Sequence, residues 1–325
     1  MHPDSRIYVA GHRGLAGSAI VRALRRKGYA NLVLRTHAEL ELTDRAAVER
    51  FFSAEKIDYV FLAAAKVGGI LANDTYPADF IRENLEVQTN VIHQSWSHGV
   101  KRLIFLGSSC IYPRECPQPI KEEYLLTGPL EPTNSAYATA KIAGIEMCRA
   151  YNQQHGTQFL AAMPNNLYGP GDNYHPQNSH VLPALIRKMH EAKMRGHSEV
   201  VVWGSGRPRR EFLHSDDLGE ACLLLATLED AAYQRLLTEC RYPLINIGYG
   251  KDATISEIAQ TIAEVVGFKG ALRYDTTKPD GAPRKILDAS RMTAFGWRPR
   301  ISLREGIAST YGEVLRARLF DPSAA

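Results

Sequence analysis

Long apolar runs are missing from this chain: its hydrophobic stretches are of strand length, and the opening Met1-His2-Pro3-Asp4 carries no apolar signal core. A membrane span needs about 20 consecutive apolar residues and a secretory leader needs an apolar core. Neither is supported, so we expect a cytoplasmic protein with no membrane partner. An excess of one charge is missing too. With 39 basic and 35 acidic residues the net charge is +4, and without a basic run or an aromatic platform that argues against nucleic acid as a partner. Cysteine is sparse: Cys110, Cys116, Cys148, Cys222 and Cys240 form an odd set with no paired ligand spacing. Neither a disulfide framework nor a metal site is expected. Internal repeats and low-complexity linkers are absent as well.

What is present is a globular composition of 325 residues, enough for a sizeable core and about two domains. Apolar runs at Ile7–Ala10, Leu32–Leu34, Tyr59–Ala63, Leu103–Leu106 and Phe159–Met163 alternate with stretches of helical period. That alternation predicts βαβ units and an α/β fold, a Rossmann-type doubly wound parallel sheet. After Tyr168-Gly169-Pro170-Gly171 the chain changes to loops rich in Asn, His, Pro and Arg, with helices at Leu182–Met194 and Ile255–Val266 and a strand at Leu244–Ile247. We place the boundary near residue 166. Residues 1–165 form the cofactor domain, and 166–325 form a smaller, mainly substrate-binding α/β domain with segments returning to the first.

The first strand runs directly into Gly11-His12-Arg13-Gly14-Leu15-Ala16-Gly17, followed by a helix with Ile20 and Leu24 on one face. Glycines at this spacing let the backbone approach a pyrophosphate, and the next helix points its positive N-terminus at it. The motif therefore predicts a dinucleotide. An NAD site usually ends its second strand in a carboxylate that holds the ribose hydroxyls. Here that strand ends Leu34-Arg35-Thr36-His37, and Arg13 already sits in the loop. Cations and a hydroxyl in that place favour a 2′-phosphate, hence NADP(H), although Glu39 and Glu41 follow closely.

Tyr137 and Lys141 stand four residues apart at the start of a predicted helix, Ser135–Tyr151. One helical turn puts both on one face. The ammonium is then expected to lower the phenol pKa and to reach the nicotinamide ribose, leaving Tyr137 as proton donor to a carbonyl oxygen under reduction. Ser108, at the end of the fourth strand, offers that oxygen a second hydrogen bond.

The strings AGHRGLAGSAI (10–20), AAAKVGGILAN (63–73), GSSCIYP (107–113), EPTNSAYATAKIAG (131–144), NLYGPGDN (166–173), NSHVLPAL (178–185), VVWGSG (201–206), REFLH (210–214) and KPDGAPRK (278–285) run through almost the whole chain. In them the sequence resembles the extended short-chain dehydrogenase/reductase superfamily. Within it the chain is similar to the GDP-4-keto-6-deoxy-D-mannose 3,5-epimerase-4-reductases. The resemblance implies C3 and C5 epimerisation of a GDP-keto sugar followed by NADPH-dependent reduction at C4, giving GDP-L-fucose. It implies Cys110 as the epimerisation base and His180 as the acid on the opposite face, which calls for a thiol with a lowered pKa or one deprotonated on substrate binding. It further implies that Leu106, Lys141, Pro164, Asn165, Leu167 and His180 contact the cofactor and that Lys188, Trp203, Arg210 and Asp280 hold the nucleotide sugar. Lys66 and Asn166 are further lining candidates. Two positions depart from the family pattern: Lys188 replaces a common arginine, and His37 stands where an arginine often grips the 2′-phosphate. By the same resemblance, the two amphipathic helices Phe80–Gly99 and Ser135–Tyr151 would join two copies as a homodimer. Three other readings stay open: a reductase or epimerase-reductase of another GDP-4-keto-deoxy sugar, heptose or dideoxyhexose; a sugar 4-epimerase that recycles bound NAD; and a non-catalytic NADP-sensing protein.

Overall fold

Every residue of Ile7–Ala10, Tyr59–Leu62, Arg102–Leu106, Phe159–Pro164 and Leu244–Ile247 is buried. Strands covered on both faces belong inside a parallel sheet with helices on each side. The computed structural model, which describes residues 1–175, 179–278 and 280–320, has that arrangement. Asn178 and Pro279, each part of a string quoted above, lie outside the described residues.

The chain begins β1 (Ile7–Ala10), α1 (Leu15–Arg26), β2 (Leu32–Val33), α2 (Arg45–Glu55), β3 (Tyr59–Leu62), α3 (Ile70–Thr75), α4 (Pro77–Ser97), β4 (Arg102–Leu106), α5 (Ser135–His155) and β5 (Phe159–Pro164). It continues β6 (Asn166–Tyr168), α6 (Val181–Met194), β7 (Glu199–Trp203), β8 (Arg209–His214), α7 (Ser215–Thr227), α8 (Asp230–Thr238) and β9 (Leu244–Ile247). Last come β10 (Asp252–Thr254), α9 (Ile255–Val266), β11 (Ala271–Asp275), β12 (Arg284–Lys285), α10 (Ser290–Ala294) and α11 (Leu303–Arg316). Among the described residues no helix is long and apolar enough to cross a membrane.

Six strands form one parallel sheet in the order β2-β1-β3-β4-β5-β9. Alternate residues serve opposite faces. Tyr8, Val60, Leu103 and Phe105 pack with α2, α4 and α5, whereas Val9, Phe61, Ile104 and Leu106 pack with α1, α7 and α8. Full burial of Phe61 or Leu24 contributes about 1.5–3 kcal/mol each. The strand order turns back between β1 and β3, the place where open α/β sheets bind ligands beyond the carboxyl ends of their strands. In the second half, β8 pairs with β10, β12 and β6, and β7 pairs with β11. A separate apolar core joins α6, α9 and α11 through Ile186, Ile262 and Ile307.

Element ends differ from expectation where backbone chemistry decides them. Helix α4 starts at Pro77, whose missing N–H is no loss in a first turn. It stops at Ser97 because Gly99 takes φ 69°. Helix α5 runs one turn past Tyr151 to His155 and is ended by Gly156 at φ 66°, the usual left-handed stop.

Candidate active site

The loop after β1 is tight enough to exclude side chains. A Cβ on Gly11, at φ 81°, would lie 2.7 Å from the Ala64 amide nitrogen, and one on Gly17 would lie 2.1 Å from the Gly11 carbonyl oxygen. Gly14 donates to that same oxygen at 2.9 Å. Helix α1, opened by Leu15 and Ala16, has no side-chain cap, so its first amides are left for an anion. A cavity of about 880 Å³ adjoins the loop, lined by Gly11, Arg13, Gly14, Arg35 and Lys66 among others. Buried in the same loop, His12 Nδ1 has no partner among the described residues, and burial followed by the Arg13 charge lowers the ring's pKa. A glycine cradle, open amides and an orphaned nitrogen fit a dinucleotide phosphate.

At the end of β2 each acid is already held. Glu55 pairs with both Arg35 and Arg6, Glu39 accepts from Thr36 N and Oγ1 at 2.7 and 2.8 Å, and Glu41 pairs with His37 at 2.7 Å. Arg13 makes no ion pair with a described residue, so it is the least committed cation of the pocket. Lys66 is paired with Glu83 at 2.7 Å, which raises its pKa.

At the carboxyl end of β4 the chain turns sharply through Ser109–Ile111. Ser108 Oγ accepts from the Cys110 amide at 3.5 Å and faces both the Cys110 thiol and the Tyr137 phenol. Phe80 sets its edge against the Tyr137 ring at 6.2 Å. Lys141 Nζ donates to the Leu106 carbonyl at 2.9 Å and lies 4.8 Å from the Phe105 ring centre. Two expectations are corrected here. Burial, and after it the Cys110 charge, raise the Tyr137 pKa, opposed by Ser108, and the same burial lowers that of Lys141 to about 8. Burial also raises the Cys110 pKa, against the lowering influence of Lys285, Ser108 and Lys141. Of the two expected routes to a thiolate, this direction favours deprotonation on substrate binding.

His180 caps α6, makes no side-chain capping bond, and is open to solvent at a crowded rim where desolvation lowers its pKa. It makes no hydrogen bond to Cys110 or Tyr137. Leu106 and Pro164 end β4 and β5, and Leu167 sits in β6. Asn165 is buried and links the halves: its Oδ1 accepts from Ser109 Oγ at 3.3 Å and its Nδ2 donates to Glu211. Asn166 Nδ2 donates to the Glu211 carbonyl at 2.9 Å.

The four nucleotide-sugar candidates form two neighbouring groups. Lys188 Nζ stands 4.7 Å from the centre of the Trp203 ring, which is 60% exposed, and Lys278 approaches that ring at 5.7 Å. Asp280 accepts from Ser205 N and Oγ at 2.9 and 2.6 Å, two residues after Trp203. Arg210 is held by the Arg209 and Ala282 carbonyls at 2.8 and 2.6 Å. Burial lowers the pKa of both Lys188 and Arg210, and Asp280 opposes it at Arg210.

Sequence reasoning passed over two residues. Glu211, fully buried, accepts from Asn165, from Leu287 N at 3.0 Å and from Gly250 N at 2.6 Å. Lys285, named only as the end of a loop, faces Cys110. Contacts between distant segments reveal both, the three donors for Glu211 and the pairing of β12 with β8 for Lys285, and no spacing in the chain signals either.

Among known proteins, the model of the NAD dependent epimerase/dehydratase family matches residues 7–238. The chain is 59% identical over 313 residues to GDP-L-fucose synthase 1 of Arabidopsis thaliana, covering 96% of this chain and 94% of that one. It is 54% identical over 306 residues to GDP-L-fucose synthase of Escherichia coli (strain K12), covering 94% and 95%. A solved structure, a GDP-D-glycero-L-gluco-heptose synthase from Campylobacter jejuni in the presence of NADPH, matches with a TM-score of 0.91. Its identity is 40%, over 97% of this chain and 99% of that one.

Proposed function

The chain belongs to the NAD dependent epimerase/dehydratase family, and on that premise we propose that it converts GDP-4-keto-6-deoxy-D-mannose to GDP-L-fucose. C3 and C5 are epimerised first, and C4 is then reduced with NADPH. The corner beyond β4 carries this reading: the Cys110 thiol, Ser108 hydroxyl and Tyr137 phenol face one another there, beside Lys141.

A C4 carbonyl placed against Ser108 and Tyr137 is polarised, which acidifies the C–H bonds on C3 and C5 alike. Cys110 removes a proton from each, and His180 returns one to the opposite face. The raised pKa of Tyr137 keeps the phenol protonated until the C4 oxygen takes its proton. The Gly11–Gly17 loop holds the cofactor diphosphate, and Arg13 with Arg35, Thr36 and His37 meets its 2′-phosphate. The chemistry NADPH supplies when bound is hydride transfer to C4. Lys188 and Arg210 answer the GDP diphosphate, while Trp203 offers an apolar wall and Asp280 an acceptor. In this reading the protein is a cytoplasmic homodimer joined through α4 and α5, which sedimentation at stepped concentration checks.

Proton NMR of the keto sugar in deuterated water tests the reading. Wild type exchanges the C3 and C5 protons and forms GDP-L-fucose when NADPH is added, whereas Cys110→Ser loses exchange. Reduction at C4 without exchange removes the epimerase half. Turnover of a GDP-4-keto heptose in place of the deoxymannose substrate favours the alternative suggested by the Campylobacter jejuni match.

A further inference from the structure

Cys110 lies where its own turn offers little to stabilise a negative sulfur. Ser108, the cap of that turn, faces it, and two other elements supply the rest: Lys141 and the Tyr137 phenol from α5, and Lys285 from β12. Lys141 is already committed to the Leu106 carbonyl at 2.9 Å. Lys285 is not: its ammonium makes no hydrogen bond or ion pair with a described residue, although the side chain is half-buried. Lysines are seldom buried without a partner, so an uncommitted one beside a candidate base calls for a physical reason.

The backbone around Lys285 is fixed firmly. Strand β12 pairs in parallel with β8, setting Lys285 opposite Arg210. Ile286 N donates to Gln118 Oε1 at 2.9 Å, and Ile120 N donates to the Ile286 carbonyl at 2.8 Å. Asn165 spans the remaining gap, donating to the Lys285 carbonyl at 3.4 Å while accepting from Ser109 Oγ at 3.3 Å. One buried amide thus ties Lys285 to the residue next to Cys110. The charged and titratable groups facing Lys285 itself are Cys110, Arg210, Cys116 and Glu131.

We propose that Lys285 is the electrostatic partner of Cys110, stabilising the thiolate that forms when substrate binds; the proposal rests on the reading of Cys110 as the base. The thiol gives its proton to water. The thiolate then takes a proton from C3 or C5: the C–H bond breaks, the S–H bond forms, and the electron pair moves to the C4 oxygen as an enolate. The acid on the other face protonates the carbon as the pair returns. Lys285 keeps its own protons throughout and acts as a positioning residue. The ammonium and the thiol titrate as a coupled pair.

Thiolate ultraviolet absorbance tests this without a reagent having to reach the buried sulfur. Each full-length protein is titrated as the difference from its Cys110→Ser counterpart. Lys285→Met moves the thiol titration upward by about one pH unit or more, Lys285→Gln does the same, and Lys285→Arg stays close to wild type. Coincident curves for wild type and either neutral variant overturn the proposal. With the keto sugar in deuterated water at neutral pH, Lys285→Met slows C3 and C5 exchange by about tenfold. Raising the pH restores the rate, which a misplaced strand would not allow. If wild type itself shows no exchange, the proposed substrate fails, and the titration still decides whether Lys285 governs the sulfur.

Discussion

Replacing Lys141 with methionine isolates what burial does to an ammonium in this site. Lys141 is 2% exposed, and desolvation lowers its pKa from 10.5 to about 8. A gap of about 2.5 between the unfolded and folded values corresponds to about 3 kcal/mol. Because the folded value is the lower one, the unfolded chain holds this proton more tightly. At neutral pH both states are protonated and the burial penalty is fully present. As the pH climbs through about 8 the folded protein releases the proton while the unfolded chain keeps it until about 10.5, so the stability contributed at this position rises across that window.

The methionine variant lacks the group, and titrations not coupled to Lys141 cancel in the comparison; placing both proteins in a Cys110→Ser background removes the one thiol that is coupled to it. The unfolding free energy of wild type minus that of Lys141→Met therefore rises by about 2–3 kcal/mol between about pH 7 and about pH 10. The offset at neutral pH is not the readout, since the variant also loses the bond to the Leu106 carbonyl; the slope is. Urea unfolding followed by far-ultraviolet circular dichroism at stepped pH, with Cys110→Ser in both proteins, measures it. Parallel curves, or a difference that falls as pH rises, refute the argument that Lys141 is a desolvated cation.

Tyr137→Phe keeps C3 and C5 exchange in deuterated water but slows NADPH oxidation by about a hundredfold or more; undiminished oxidation removes Tyr137 as the proton donor. Gly17→Ala forces a Cβ to within 2.1 Å of the Gly11 carbonyl oxygen, and because that oxygen belongs to the backbone the loop must move. The expected loss is about 1–3 kcal/mol, seen as weaker NADPH binding in a fluorescence titration, and an unchanged Kd would show that the loop yields freely. His37→Arg restores a planar fork at the strand end and raises the ratio of kcat/KM for NADPH over NADH by about tenfold. An unchanged ratio places the 2′-phosphate elsewhere.

The parts of this architecture legible in the chain are those whose signal is local. Strands β1 and β9 stand where four-residue apolar runs were read, and β3, β4 and β5 differ from expectation by one residue at an end. The glycine loop is legible because strand, spacing and helix occur within about twenty residues. Tyr137 and Lys141 share a face because four residues make about one turn. What was not legible depends on contacts between distant segments. Glu211 reads as one acid in a strand of mixed charge, and only three donors arriving from Asn165, Gly250 and Leu287 make it a hub. Lys285 is one of several cations in its loop, and the β8–β12 register alone selects it. The direction of the Tyr137 and Cys110 shifts could not follow from neighbours in sequence, because desolvation is a property of the packed site.

That desolvation has one pattern across the cleft. Lys141, Lys188, Arg210 and Lys285 all have pKa values lowered by burial, and Cys110 and Tyr137 have theirs raised. Every one of these groups is pushed toward its neutral form, so the cleft is short of charge rather than of polar atoms. Buried cations gain most from an anion that arrives without further reorganisation. On the proposed function two arrive in sequence: the GDP diphosphate beside Lys188 and Arg210, then the enolate oxygen beside Ser108 and Tyr137. Each stabilises the charged state of cations that the empty fold penalises. The penalty at Lys141 and the uncommitted ammonium of Lys285 therefore have the same physical origin, a fold arranged around negative charge that arises only during the reaction.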